Sequence, residues 1–272
     1  MLNPDIERDQ RGFPVLSTRS TPGDLEVRTV GVGSRPVVGH DLFRAYGRFR
    51  AWVYTEVSAI LDPTVLKSDG TDPDHYDSYS VHLAALETVE VEGALRQRVV
   101  GTTRLIFDLG AADHHYVAAG LQPGLGRLPI ETDFPELADR LDLRSDRVRC
   151  EVSRYAAYHQ SPRRQRRISQ LLRAGIGAVF TNANAEIGFA VLEEHLADLL
   201  RRDGVGVEQL TKPKLLDHYQ SVNFGARLDL GGMAEWMGTV TNGVPVHLVR
   251  IGNDHAVNRR PQTGSKLRVL ER

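Results

Sequence analysis

Three arginines and three carboxylates, Arg50, Asp74, Asp77, Arg104, Glu151 and Arg154, fall in four short strings: RAWVYTE (50–56), DHYDSYSVHL (74–83), VVGTTRLI (99–106) and CEVSRYA (150–156). Ions of opposite sign that share a buried place must pair with one another, so Arg50 and Arg104 taken with Asp74 and Asp77 have the makeup of a charge-neutralised cluster. A second string, SPRRQRR (161–167), sets Arg163, Arg164, Arg166 and Arg167 behind a Ser-Pro pair that reads as a helix start. Free N–H groups and the helix dipole at such a start favour an anion, a phosphate among them. Each feature has a plainer reading beside it. Asp-rich loops cap turns, an arginine at a strand edge can snorkel to water, and arginine runs most often form solvated helix faces. His114 and His115 beside Asp113 have no second ligand motif at metal spacing and read as loop histidines, with no metal expected. The lone Cys150 lies, by strand alternation, on the face opposite Glu151 and reads as a buried structural thiol. GLQPGLG (120–126) lacks the strand-to-helix context of a nucleotide loop. His82 reads as a residue that orients its neighbours within a hairpin.

The elements that must position these residues follow from periodicity. LEVRTVGVG (25–33) alternates like a strand. From Asp41, the residues Leu42, Phe43, Tyr46, Phe49, Val53, Val57 and Ile60 form an amphipathic stripe, with Asp41 as N-cap and Pro63 as stop. An Asp-rich loop (66–79) precedes two strands that meet at Glu92-Gly93. Residues 108–147 read as loops with a short helix near FPELADRL, and RVRCEVSRYAAY (147–158) as a strand. On that strand, alternation puts Glu151, Ser153 and Tyr155 on one face and Cys150, Val152 and Arg154 on the other. Ser161 and Pro162 open a helix whose stripe runs from Ile168 to Phe180, and a second helix is expected from about Asn184 to Arg202. VGVEQL reads as a short buried strand, KPKLLDHYQSV as a short helix, and ARLDL and GVPVHLVRI as closing strands. This order predicts an α/β fold, a mixed sheet with helices on its faces.

The composition sets the outer bounds. The chain has 272 residues, 41% hydrophobic and 25% charged, enough for one sizeable core. The domain layout predicted is a flexible N-terminal arm (1–24), one main domain (25–252) and a C-terminal tail (253–272). A net charge of −1 gives no reason to expect nucleic acid as a partner. The apolar runs are too short for a membrane span and the start is too polar for a signal peptide, so a cytoplasmic location is expected. One cysteine leaves no internal disulfide, in keeping with a reducing compartment.

Taken in order across about 110 residues, the four strings resemble the acyl-homoserine-lactone (autoinducer) synthases and their relatives, the long-chain N-acyl amino acid synthases and exosortase-associated acyltransferases. YQSVNFGARLDLGG and NGVPVHLV resemble the closing helix and strands of the N-acyl amino acid synthases, which extends the likeness to residues 41–251. The resemblance implies the GNAT acyltransferase fold, a mixed and mostly antiparallel sheet with helices on both faces. It places the substrate-binding set on Arg50, Tyr54, Asp74, Asp77 and Arg154, with Arg104, Glu151 and Ser153 as catalytic candidates. The autoinducer synthases carry a tryptophan ten residues after the arginine matched by Arg50, where this chain has Ile60. That departure favours an amino-acid-type acceptor over S-adenosylmethionine.

The chemistry implied is transfer of a medium or long acyl group from acyl carrier protein or acyl-CoA to an amine. An α-amino group of pKa about 8 is mostly protonated at neutral pH, so a nearby carboxylate must take its proton, and Glu151 is the candidate. In such folds the strand carrying Glu151 splays from its neighbour and offers N–H groups to the thioester carbonyl. Arg163, Arg164, Arg166 and Arg167 are candidates for the phosphopantetheine phosphate and the acidic surface of the carrier. No tightly bound cofactor is expected, the acyl thioester being a co-substrate. The alternatives are an acyl-homoserine-lactone synthase using S-adenosylmethionine and a catalytically inactive acyl-binding module of the same fold.

Overall fold

The computed structural model of the chain describes residues 21–108, 120–138, 149–183, 185, 187–202, 204–229, 246–249 and 267–270. Alternating Leu25–Val32 forms β1, which pairs antiparallel with β3 (Ser80–Val91) and with a short β2 (Arg35–Pro36). β3 turns at Glu92 and Gly93, both at positive φ, into β4 (Ala94–Asp108), the hairpin expected from Glu92-Gly93. β4 pairs antiparallel with β5 (Arg149–Ala157), and β5 pairs in parallel with β6 (Ile187–Leu192). β7 (Gly206–Gln209), β8 (Lys214–Leu216) and β9 (Ser221–Asp229) follow, with β9 joining β6, β7 and β8. β10 (Val246–Val249) and β11 (Leu267–Leu270) add in parallel beyond β1. The strand order is β11-β10-β1-β3-β4-β5-β6-β9-β7, a mixed and mostly antiparallel sheet.

Two helices cover opposite faces of that sheet. α1 (His40–Trp52), continued by a wider turn over Val53–Val57, buries Leu42, Tyr46, Phe49 and Val53 against Val30, Ala84, Leu86 and Val99. Its N-cap is Gly39; Asp41 sits in the first turn. α3 (Pro162–Asn182) lies on the other face. Ile176, Val179 and Phe180 pack there on Leu83, Leu105, Phe107 and Cys150, and Ile168, Leu171 and Leu172 on Val27, Ala85 and Val100. Each such leucine or isoleucine contributes about 1.5–3 kcal/mol when fully buried. Gly175 lets α3 come close to β1, since a Cβ there would meet Val27 at 2.7 Å. The remaining helices are α2 (Pro129–Asp133) and α4 (Glu194–Arg202). No described helix is long and apolar enough to cross a membrane.

Three expectations need correction. The helix expected from about Asn184 is a strand, Ile187–Leu192, followed by α4 from Glu194. A continuous apolar run reads equally as a buried strand, and here both edges of the run are paired, by β5 and β9. KPKLLDHYQSV forms no helix: β8 and β9 make a hairpin across residues 217–220, where Gln220 takes φ +51°. VGVEQL forms a strand, but its residues Gly206–Gln209 are largely exposed at the sheet edge. His114, His115 and most of the N-terminal arm lie outside the described residues.

Candidate active site

β5 is where the sheet is interrupted. Its pairing with β6 ends at Val152↔Ala190, although β5 runs on to Ala157 and β6 to Leu192. Against β4, Arg104 faces Ser153 and Thr102 faces Ala156, so Arg154 and Tyr155 together oppose Thr103 alone. This is a β-bulge, and Arg154 adopts φ +53° to form it. The bulge breaks alternation. Arg154 stays on the Glu151 and Ser153 face, its guanidinium 5.4 Å from the Tyr54 ring centre. Tyr155 turns to the α3 face and donates to the Ser169 carbonyl at 2.8 Å. The strict-alternation assignment of these two residues is thereby corrected. The Tyr54 hydroxyl holds the bulge by donating to the Tyr155 carbonyl at 3.1 Å, and Thr103 Oγ1 donates to the Ser153 carbonyl at 3.3 Å.

The arginines and aspartates of the distant strings converge beside that bulge. Arg104, 2% exposed, grips Asp74 with both terminal nitrogens at 2.5 and 2.8 Å and reaches Asp77 at 2.7 Å. Arg50, also 2% exposed, bonds Asp72 at 2.7 Å and Asp77 at 3.2 and 3.3 Å. Arg154 closes the network toward Asp74 at 3.5 Å and Asp72 at 3.7 Å. Three cations meet three anions, the pairing that burial requires. The string DHYD supplies the local geometry: Asp74 accepts from Tyr76 N and Asp77 from Asp74 N, a reciprocal cap of the short helix His75–Tyr79. Burial would raise the carboxyls of Asp77 and Asp74, but the neighbouring arginines outweigh it and hold both below the usual range.

His82 and Tyr46 tie this loop to the sheet. Burial holds His82 down to about 4, so the ring is neutral at neutral pH. Its Nε2 donates to the Asp77 carbonyl at 3.2 Å. Its Nδ1 lies 3.3 Å from the Tyr46 hydroxyl, which shares its proton with the Thr103 carbonyl at 3.1 Å. The orienting role read for His82 takes this form.

Glu151 stands on the same face as Arg104, opposite Ile106 in the β4–β5 ladder. It is 1% exposed, and its Oε2 accepts the Ile130 N–H at 2.8 Å. Burial pushes its carboxyl up to about 8; Asp133 and Glu131 add to the shift, while the Ile130 N–H and Arg104 oppose it. Tyr219, from the β8–β9 turn, is raised by burial and by the charges of Glu151 and Asp133, and packs against the cluster of Ile106, Leu128 and Ile130. Cys150 is fully buried on the α3 side, its thiol pushed well up by burial.

The four arginines of SPRRQRR lie apart from this cluster. With Leu25, Ser161 and Gln170 they line an open groove of about 770 Å3 at the start of α3. Arg164 is partly committed there, bound to Glu87 at 2.9 Å and to the Gly23 carbonyl. The structure thus joins Arg50, Tyr54, Asp74, Asp77, Arg104, Glu151, Ser153 and Arg154 on one face and gathers Arg163, Arg164, Arg166 and Arg167 at a helix start. Sequence reasoning missed Asp72, Tyr46, the Leu128–Asp133 turn and Tyr219. Tyr46 and Asp72 carried a signal: Tyr46, Arg50 and Tyr54 repeat every four residues on one helix face, and Asp72 lies in the same Asp-rich loop as Asp74.

No protein-family model matches the chain, and no curated protein matches it. Solved structures do. The CoA-dependent acyl-homoserine lactone synthase BjaI, solved with SAM and isopentyl-CoA, is 20% identical over 85% of this chain and 96% of its own, with a TM-score of 0.57. The acyl-homoserine lactone synthase LasI is 15% identical over 77% of this chain and 91% of its own, TM-score 0.52. FeeM, an N-acyl amino acid synthase from uncultured soil microbes, is 13% identical over 79% of this chain and 95% of its own, TM-score 0.50. The GNAT-like architecture expected from the four strings is therefore the fold of this chain, shared with acyl-homoserine lactone and N-acyl amino acid synthases.

Proposed function

We propose that this chain is an N-acyltransferase that moves a medium or long acyl group from acyl carrier protein or acyl-CoA to the amine of an amino acid or similar acceptor. The observation that carries this reading is Glu151, buried with a carboxyl near 8, three residues before the bulge at Arg154, on the stretch where β5 leaves β6. An α-ammonium group also titrates near 8, so the proton passes between matched groups, directly or through one water. The freed amine attacks the thioester carbonyl, the tetrahedral oxyanion meets donors of the bulged strand, and collapse breaks the C–S bond, the departing carrier thiolate taking up the proton that the nitrogen sheds as it becomes an amide. Ser153 and Arg104 flank that strand opening, and the Arg–Asp network with Tyr54 fixes its shape. Attack is direct, because Cys150 is enclosed on the other face with its thiol held protonated.

The groove at Arg163, Arg164, Arg166 and Arg167 suits the phosphate of a phosphopantetheine arm and the acidic face of its carrier. A second reading, lactone formation from S-adenosylmethionine, is favoured by the likeness to BjaI, whereas Ile60 in place of tryptophan favours the amino-acid acceptor. Purified protein incubated with acyl-CoA or acyl carrier thioesters, and with amino acids or S-adenosylmethionine, decides by mass spectrometry. An open-chain amide supports the proposal, a lactone supports the second reading, and no product with any pair points to an inactive acyl-binding module.

A further inference from the structure

The short turn that carries the Ile130 N–H is anchored by a buried acid with no place in the scheme above. Glu131 is 2% exposed. Its Oε2 accepts the Leu128 N–H at 2.9 Å, and its Oε1 meets Arg149 Nη1 at 3.1 Å. Arg149 also binds Asp108 on β4 and lies two residues before Glu151 on β5. The α2 turn is therefore clamped to the strand that bears Glu151, one peptide from the N–H that bonds it. Ile130 itself is locked among Leu128, Phe134, Leu137 and Phe189.

We propose that Glu131 is a positioning residue for Glu151: with Arg149 it holds the Leu128–Asp133 turn so that the Ile130 N–H stays on the Glu151 carboxylate. The inference rests on the acyl-transfer reading only where it speaks of rate. The groups facing Glu151 are Arg104 from β4, Glu131 and Asp133 from α2, Tyr76 from the 74–79 loop and Tyr219 from the β8–β9 turn. Of these surroundings, the Ile130 N–H and Arg104 favour the charged form, while burial, Asp133 and Glu131 disfavour it. Loss of the N–H bond then raises the carboxyl further, and each unit of rise leaves about tenfold less ionised base near neutral pH.

Two substitutions separate positioning from plain electrostatics. Glu131→Ala releases the turn, and the acid limb of the pH profile of kcat/KM moves up by about one unit. Glu131→Gln removes the same negative charge but keeps an oxygen for the clamp, so its limb stays or moves down. A limb in Glu131→Ala that stays or falls, with rate lost equally at all pH, overturns the proposal. Should the alanine variant not fold, the wild-type protein decides without substrate. The Ile130 amide resonance titrates with a midpoint near 8 and loses that titration in Glu151→Gln; an Ile130 amide indifferent to pH contradicts the proposal. Absence of any amide product would sink the acyl-transfer reading while leaving this titration intact.

Discussion

Arg154 rests its guanidinium 5.4 Å from the Tyr54 ring centre, while its chain neighbour Tyr155 bonds the Ser169 carbonyl on the opposite side of the sheet. Only the bulge permits this, and its cost is a non-glycine residue at φ +53°. A left-handed arginine is strained by about 1–2 kcal/mol. Arg154→Ala loses the ion pairs and keeps the strain, whereas Arg154→Gly loses the same pairs and relieves it. In urea denaturation the glycine variant is expected to exceed the alanine variant by about 1 kcal/mol. The reverse order would show that the bulge is not held against strain.

Glu151 links function to stability with a definite sign. Its carboxyl lies near 8 in the fold against an ordinary 4.5, so between those values the folded state binds more protons than the unfolded chain. Stability therefore falls as pH rises through that window and levels above it, at roughly 1.4 kcal/mol for each unit of displacement. Thermal melts of Glu151→Gln should match wild type near pH 5 and exceed it by about 2 kcal/mol or more near pH 9. A variant less stable than wild type at the higher pH contradicts a strained, buried carboxyl.

Asp77 acts with the opposite sign. Arg50 and Arg104 hold its carboxyl below the usual value, so its contribution is present above about pH 4 and is lost as the pH falls below it. Asp77→Asn leaves two buried guanidinium groups short of a partner and should cost about 3–5 kcal/mol at neutral pH, a deficit that shrinks in acid. A constant deficit from pH 7 to pH 2, measured by denaturant titration, would argue against the ion-pair account.

The groove arginines separate donor binding from chemistry. Arg163, Arg166 and Arg167 line it without the Glu87 bond that engages Arg164. Replacing those three by alanine is expected to raise KM for the acyl carrier thioester about tenfold or more, leave kcat at saturation near wild type, and flatten the salt dependence of KM. A loss in kcat alone would move these residues out of donor binding.

Much of this arrangement was legible in the sequence. Glu92-Gly93 announced the central hairpin, the stripe from Ile168 to Phe180 announced α3, and the grouping of Arg50, Asp74, Asp77 and Arg104 was implied by the resemblance of the four strings, with which the need of buried ions to pair agrees. Two things were not legible. Strand β6 was hidden because Ile187–Leu192 is apolar without a period, and only its pairing on both sides makes it a strand. The face of Arg154 was misread because a one-residue bulge leaves no mark in an alternating pattern. The Ile130 contact to Glu151 was equally invisible, since a backbone N–H carries no residue signature.

The central claim is that Glu151 takes the acceptor's proton. The most direct measurement is the pH dependence of amide formation, followed by mass spectrometry with saturating acyl thioester, in wild type and Glu151→Gln. Wild type should show an acid limb with a midpoint near 8, and the variant should lose roughly 100-fold or more on the alkaline side of that limb, where wild-type Glu151 is ionised. Amide formed by Glu151→Gln at the wild-type rate with the same limb would contradict it.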